Sequence, residues 1–223
     1  MIKQEMVQAC SDDPSHIFTL IKQGEFDVVE EVLRKKIVSI NEVDSVGNDV
    51  ITKLLKAKQY DLVIEFMKKR NWDVNHKNID GDTFGHFLAL DNSLQAVEVV
   101  KCLTKKKNYD PNEKNNKGET IFDRAMSNNY LCTVFRILED RRFNDIDVFS
   151  FKHLFNLTIK SKLYGKYSKI TNLEIIVDSL VKKDLDSSMT KLIDQIKDNI
   201  KYIKQDLLND NSHKLESLIN NYI

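Results

Sequence analysis

The residues of this chain that could do chemistry are five histidines, three cysteines and a scatter of carboxylates. Their spacing builds no familiar reaction centre. His16, His76, His86, His153 and His213 are spread along the whole length without metal-ligand spacing. Cys10, Cys102 and Cys132 are odd in number, far apart and without a CxxC pair, which suits buried thiols in a reducing compartment. Asn78-Ile-Asp80-Gly81 matches part of a calcium loop, but the first ligand position falls on His76 and the last on Phe87, where Asp and Glu are needed. No phosphate-cradling glycine loop, nucleophile elbow or zinc-helix motif occurs. Asn156-Leu-Thr158 is a formal glycosylation sequon, but it falls in an expected helix with no secretion signal ahead of it. No catalytic residue, cofactor or metal is expected, and the chain reads as a non-enzyme.

Positive charge is more ordered. Three asparagines, Asn41, Asn75 and Asn112, each precede a glycine by six residues. Five to seven residues before them stand Arg34, Lys35 and Lys36, then Lys68, Lys69 and Arg70, then Lys105, Lys106 and Lys107. Arg141 and Arg142 continue the series before Asp147. Each group closes an expected helix. There, cations complement the helix dipole at about 0.3–1 kcal/mol apiece. The same groups could also form a basic ladder facing an acidic partner. Lys68, Lys69, Lys105 and Lys106 are its candidate contacts.

The asparagine–glycine spacing belongs to a repeat. Gly47, Gly81 and Gly118 are 34 and 37 residues apart, and each is followed by two apolar-periodic helical stretches. A unit is therefore a hairpin, a helix, a short loop and a second helix, the content of a helical repeat array. Gly81-Asp-Thr83-Phe-Gly-His86 and Gly118-Glu-Thr120-Ile-Phe-Asp-Arg-Ala125 resemble the Gly-x-Thr-Pro-Leu-His-x-Ala signature of ankyrin repeats. Asn71-Trp-Asp-Val-Asn75 and Asn108-Tyr-Asp-Pro-Asn112 resemble that family's Gly-Ala-Asp-Val-Asn ending, with Asn in place of Gly at a left-handed helix cap. The signature proline is missing from all three units, so the repeats are divergent.

The resemblance implies an all-α repeat solenoid of stacked ankyrin-type helix-turn-helix units, with short hairpin loops and a C-terminal helical cap. Residues 1–150 would hold the array: an N-terminal capping pair at 14–36 and units at about 38–70, 71–107 and 108–142. Residues 151–223 would hold a degenerate fifth unit and a helical extension. Asp13-Pro14 is an N-terminal helix signal, and Thr171-Asn-Leu-Glu174 a capping box. Apolar residues from Met189 to Leu208 fall on one face of a long helix, either a cap on the array or a coiled-coil arm, and Ser212 opens a short last helix. Thr83 and Thr120 are expected to cap helices, His86 to bond the hairpin backbone, and Trp72 and Tyr109 to pack between units, with Trp72 also a candidate contact.

Such proteins mostly bind other proteins, so the chain is expected to be a protein-interaction module: an adaptor, scaffold or inhibitory subunit. Candidate contacts are the hairpin tips Ser45, Val46, Asn78, Ile79, Asp80, Asn115, Asn116 and Lys117, with Val46 and Ile79 taken as matching apolar tip positions. The alternative is a regulatory protein whose ladder contacts nucleic-acid phosphate. Composition argues against it, since 34 basic and 34 acidic residues leave no net charge. With 41% hydrophobic residues the chain is too apolar for disorder, and 6 Gly and 2 Pro are too few for a turn-rich β fold. No apolar run reaches membrane-spanning length, and the cytoplasm or nucleus is expected.

Overall fold

A computed structural model describes residues 2–69, 71–146, 150, 151, 153, 154, 158, 166–181 and 187–208. Among these residues the regular elements are all α-helices, and the only β feature is a single antiparallel bridge between Val43 and Asp49. The chain divides into two bodies, Met1–Ile121 and Phe122–Ile223.

Among its described residues the first body holds seven helices: α1 (Ile2–Asp12), α2 (His16–Gln23), α3 (Phe26–Arg34), α4 (Val50–Lys56), α5 (Tyr60–Met67), α6 (Phe84–Leu88) and α7 (Leu94–Leu103). They pack as pairs, α2 with α3, α4 with α5 and α6 with α7. Pairs are joined through their first helices, α2 on α4 and α4 on α6, and α5 also packs on α7. The cause is the apolar stripe of each helix. Ile17, Leu20 and Ile21 of α2 are buried, as are Val28, Val29, Val32 and Leu33 of α3 and Val50, Ile51, Leu54 and Leu55 of α4. Each such side chain contributes about 1.5–3 kcal/mol when fully buried. A hydrogen bond nets about 1 kcal/mol. Burial therefore holds the pairs together, and the hydrogen bonds described below choose their register.

Helix ends are set locally. Asp49 caps α4 by accepting from the Thr52 N–H at 2.7 Å, and Ser93 caps α7 through the Ala96 N–H at 3.1 Å. Tyr60 at the start of α5 donates to Asp91 and accepts from Ser93, tying that helix to the cap of α7. Asp13 accepts from the Ser15 N–H at 2.9 Å, so Pro14 and Ser15 form a lead-in turn and α2 itself starts at His16. Helix α1 is an addition to the expected pattern. It packs on α2 and α3, buries Cys10, and sends Lys3 to Glu31 at 2.9 Å. Lys35 and Lys3 together pull the Glu31 carboxyl down to about 2. Of the three cysteines only Cys10 is buried; Cys102 is half-buried and Cys132 exposed, against the expectation of buried thiols.

The links inside three helix pairs share one backbone solution. A residue one or two places after the first helix is left-handed: Gly24 (φ 81°), Lys58 (φ 58°) and, in the second body, Asn129 (φ 58°). Lysine is the residue least suited to this position. Lys58→Gly is expected to raise stability by about 0.5–1 kcal/mol, because the left-handed strain it removes outweighs the extra freedom of the unfolded chain. A urea midpoint measures this.

The second body contains α8 (Ile121–Ser127, all but its first residue), α9 (Leu131–Leu138), α10 (Lys166–Val181) and α11 (Ser187–Leu208). Phe122 and Phe143 stack with ring centres 4.9 Å apart. Helix α10 packs on both α9 and α11, burying Ile176, Val177 and Leu180 with Ile193 and Ile196 of α11. The long amphipathic helix is thus packed within its own body, while Tyr202 toward its far end is exposed. Two expectations change. Helix α10 is continuous from Lys166 through Thr171, so Thr171–Glu174 does not open it. Of the expected helix around the sequon, at the start of the degenerate fifth unit, Phe151, His153, Leu154 and Thr158 are described, and all are helical. Asp147, Arg70, the sequon's Asn156 and Leu157, and the expected last helix from Ser212 lie outside the described residues.

Candidate partner-binding surface on the hairpin edge

The three glycine hairpins are built alike. Three residues before each glycine stands Asp44, Asn78 or Asn115, and the glycine N–H donates to the backbone carbonyl of that residue at 2.9, 3.0 and 2.9 Å. The same side chain accepts two backbone N–H groups further round the turn. Asp44 accepts from Val46 and Asn48, Asn78 from Asp80 and Asp82, and Asn115 from Lys117 and Glu119, all within 2.8–3.1 Å. Short Asp and Asn side chains close turns in this way. Asn78 and Asn115 are therefore braces rather than open contacts, and Asn115 is only 7% exposed.

Successive hairpins are bonded to one another. The Ile79 N–H donates to the Val46 carbonyl at 3.2 Å, and the Asn116 N–H to the Asp80 carbonyl at 3.0 Å. The amide NH2 of Asn78 donates to Asn48 Oδ1 at 3.1 Å, and that of Asn115 to Asp82 Oδ1 at 2.8 Å. His76 donates from Nε2 to the Gly47 carbonyl at 2.8 Å. Further back, Asn41 donates to the Asn71 carbonyl and accepts from the Asp73 N–H. Asn75 does the same with Asn108 and Asp110. The spacing that marked Asn41 and Asn75 reflects a clamp from each of these units to the next.

Behind the edge lies a buried polar layer. The Thr83 N–H donates to His86 Nδ1 at 3.1 Å, which leaves the proton on Nε2, and that nitrogen donates to the Glu119 carbonyl at 2.8 Å. Asp49, in the threonine position of its unit, accepts from Thr52 through one oxygen and from the Trp72 indole N–H through the other, at 2.8 Å. Burial pushes the Asp49 carboxyl above its ordinary pKa, against the pull of these two donors. Trp72 is 2% exposed and meets Phe84 edge to face at 5.2 Å. It packs between units, as Tyr109 does, and is not open to a partner as its place among the candidate contacts required.

What remains outside is a short list of side chains. Ser45, Val46, Ile79, Asp80, Asn116 and Lys117 are exposed, with Ile79 at 65% and Val46 at 40%. Val46 and Ile79 are not matching positions. Val46 stands one residue before its glycine, level with Asp80 and Lys117, whereas Ile79 stands two before, level with Ser45 and Asn116. The backbone bond between them nonetheless sets the two apolar residues on neighbouring hairpins.

The basic ladder is uneven. Arg34 is held by Glu30 at 2.6 Å and Glu65 at 2.9 Å, and Lys35 by Glu31 at 2.7 Å. Arg142, in the second body, is held by Asp140 at 2.6 Å. Lys106 lies over the Trp72 ring and donates to the Lys69 carbonyl; burial lowers its pKa. Lys68, Lys69 and Lys105 are exposed. Arg34, Lys35, Lys106 and Arg142 are thus engaged within the protein.

Among the described residues no group of three or more His, Cys, Asp or Glu is placed to hold a metal, and no helix is long and apolar enough to cross a membrane. No protein-family model matches the chain, and no curated protein matches it.

Proposed function

We propose that this chain is a non-catalytic recognition module, an ankyrin-type repeat solenoid that binds another protein through its hairpin edge and the adjoining faces of α2, α4 and α6. The observation that carries this reading is the bonded hairpin edge. It spends the polar groups of the turns on one another and leaves Val46 and Ile79 in water on a frame that is already ordered. A frame ordered before contact loses little conformational entropy on binding. Exposed apolar residues at fixed positions offer a partner area to cover. The repeat resemblance supplies the prior for a protein partner, and absence of net charge argues against nucleic acid. We place the module in the cytoplasm or nucleus.

Capture from lysate of the source cells tests this, with wild-type chain and an Ile79→Asp, Val46→Asp variant as paired baits. Both positions are exposed, so stability should change by less than about 0.5 kcal/mol each. Partner recovery should fall by at least about tenfold, the loss of roughly 1.4 kcal/mol of contact. Equal recovery on both baits would rule out the hairpin edge.

A further inference from the structure

We propose that the cleft between α2, α4 and the first hairpin takes up an acidic segment of the partner protein. The inference rests on the recognition reading above and gives that partner its chemistry. Lys22 of α2 and Lys53 and Lys56 of α4 line the cleft together with Phe18. Among the described lining residues the one carboxylate is Asp44, and it is already used. One of its oxygens accepts the Val46 and Asn48 N–H groups, and the other pairs with Lys53 at 3.0 Å. Lys22 and Lys56 form no ion pair among the described residues.

Lys53 is thus paired with Asp44, while Lys22 and Lys56 carry their charge beside it without an ion pair among the described residues. Lys56 Nζ lies 3.8 Å from the ring centre of Phe87 on α6. Burial, then the charge of Lys53, pull its ammonium below its ordinary pKa. Like charges brought together in a partly desolvated cleft repel, and an incoming carboxylate relieves that repulsion. Phe18 and Phe87 offer apolar contact beside the charges, which suits a peptide carrying acidic and apolar residues. A phosphate backbone has no apolar groups to set against these rings; Asp44, Asp80 and Asp82 also act on Lys56 and oppose either kind of anion alike. Acidic recognition thus moves from the uneven ladder at the helix ends to the faces of α2 and α4.

The test is selection of short random peptides, displayed on phage, against the full-length chain. Enriched peptides should carry net negative charge. Their synthetic forms should bind Lys22→Glu, Lys56→Glu chain at least about tenfold more weakly, as expected for losing close charge pairs. They should bind Lys68→Glu, Lys69→Glu, Lys105→Glu chain with wild-type affinity. Both variants change exposed lysines, and circular dichroism checks their fold. Enriched peptides without net negative charge, or unaffected by the change at Lys22 and Lys56, would overturn the inference. So would displacement of the acidic peptides by an equimolar thymidine oligonucleotide, which would point to a phosphate site. Peptides that bind through Val46 and Ile79 whatever their charge would overturn the acidic cleft and leave the recognition reading standing. Absence of any enriched peptide would count against both.

Discussion

Trp72→Ala is expected to lower stability by about 3–5 kcal/mol, as loss of a large buried aromatic does. That is a large share of the 5–15 kcal/mol that typically holds a domain. Two effects combine. The cavity would open against Phe84, whose ring now meets Trp72 at 5.2 Å. The buried Asp49 would also lose the indole donor at 2.8 Å. Trp72→Phe separates the two in large part, because it keeps a six-membered ring in the core and loses the indole donor with only the smaller ring. Its expected cost is about 1–3 kcal/mol, the penalty for an unsatisfied buried group.

The second variant should also carry a signature in pH. The folded pKa of Asp49 is raised, so folding disfavours its ionised form and that cost is present near neutral pH. The cost fades as pH falls through the folded pKa toward the unfolded value. Removing the indole donor raises the folded pKa further and enlarges the cost at neutral pH. The stability gap between wild type and Trp72→Phe should therefore be widest near neutral pH and narrow toward about pH 4. Urea midpoints across that range measure it; a gap that stays constant would mean that Asp49 does not sense the indole.

Gly81→Ala and Gly118→Ala are expected to differ sharply, although both glycines sit at the same step of the repeat with φ of 74° and 77°. Both substitutions incur the left-handed penalty of about 1–2 kcal/mol. At Gly118 that is all, since a Cβ there meets nothing within 4 Å. At Gly81 a Cβ would lie 2.7 Å from the Asn116 backbone nitrogen and 2.5 Å from its side-chain oxygen. The next hairpin would have to withdraw, and the bond from the Asn116 N–H to the Asp80 carbonyl would go with it. A total of about 3–4 kcal/mol follows from adding about 1 kcal/mol for that bond and a similar amount for the clash. Gly47→Ala should fall between, with its Cβ 3.1 Å from the Asn78 Cα. Equal losses at Gly81 and Gly118 would mean that the hairpins are not in contact.

Much of the local framework was legible because single residue types carry it. A turn that needs positive φ selects glycine, so Gly47, Gly81 and Gly118 mark the hairpins directly. The helix pairs follow from apolar spacing, and the backbone-bonding role of His86 from its place in the repeat signature. What stayed hidden depends on partners some 30 residues away. Nothing near Trp72 in sequence announces Asp49, which turned a candidate contact into a packing residue. Arg34 looked like a free rung until Glu65 came to face it. Lys22 and Lys56 drew no notice because they lie on separate helices whose packing alone brings them to one cleft. The pattern at Thr171–Glu174 is short enough to occur inside a helix, and α10 runs through it. Helix α1 is only weakly apolar and gains its place through Cys10 and the reach of Lys3 to Glu31.

Everything proposed for the hairpin edge depends on its hairpins being joined into one ordered surface. Amide hydrogen exchange reads this directly at the two N–H groups that cross between turns, Ile79 and Asn116. These should be protected to the same degree as core amides of α4 and α5, while the exposed Ser45 amide, with no partner among the described residues, exchanges at nearly the free rate. Exchange at Ile79 and Asn116 as fast as at Ser45 would show the turns moving independently and would contradict the account.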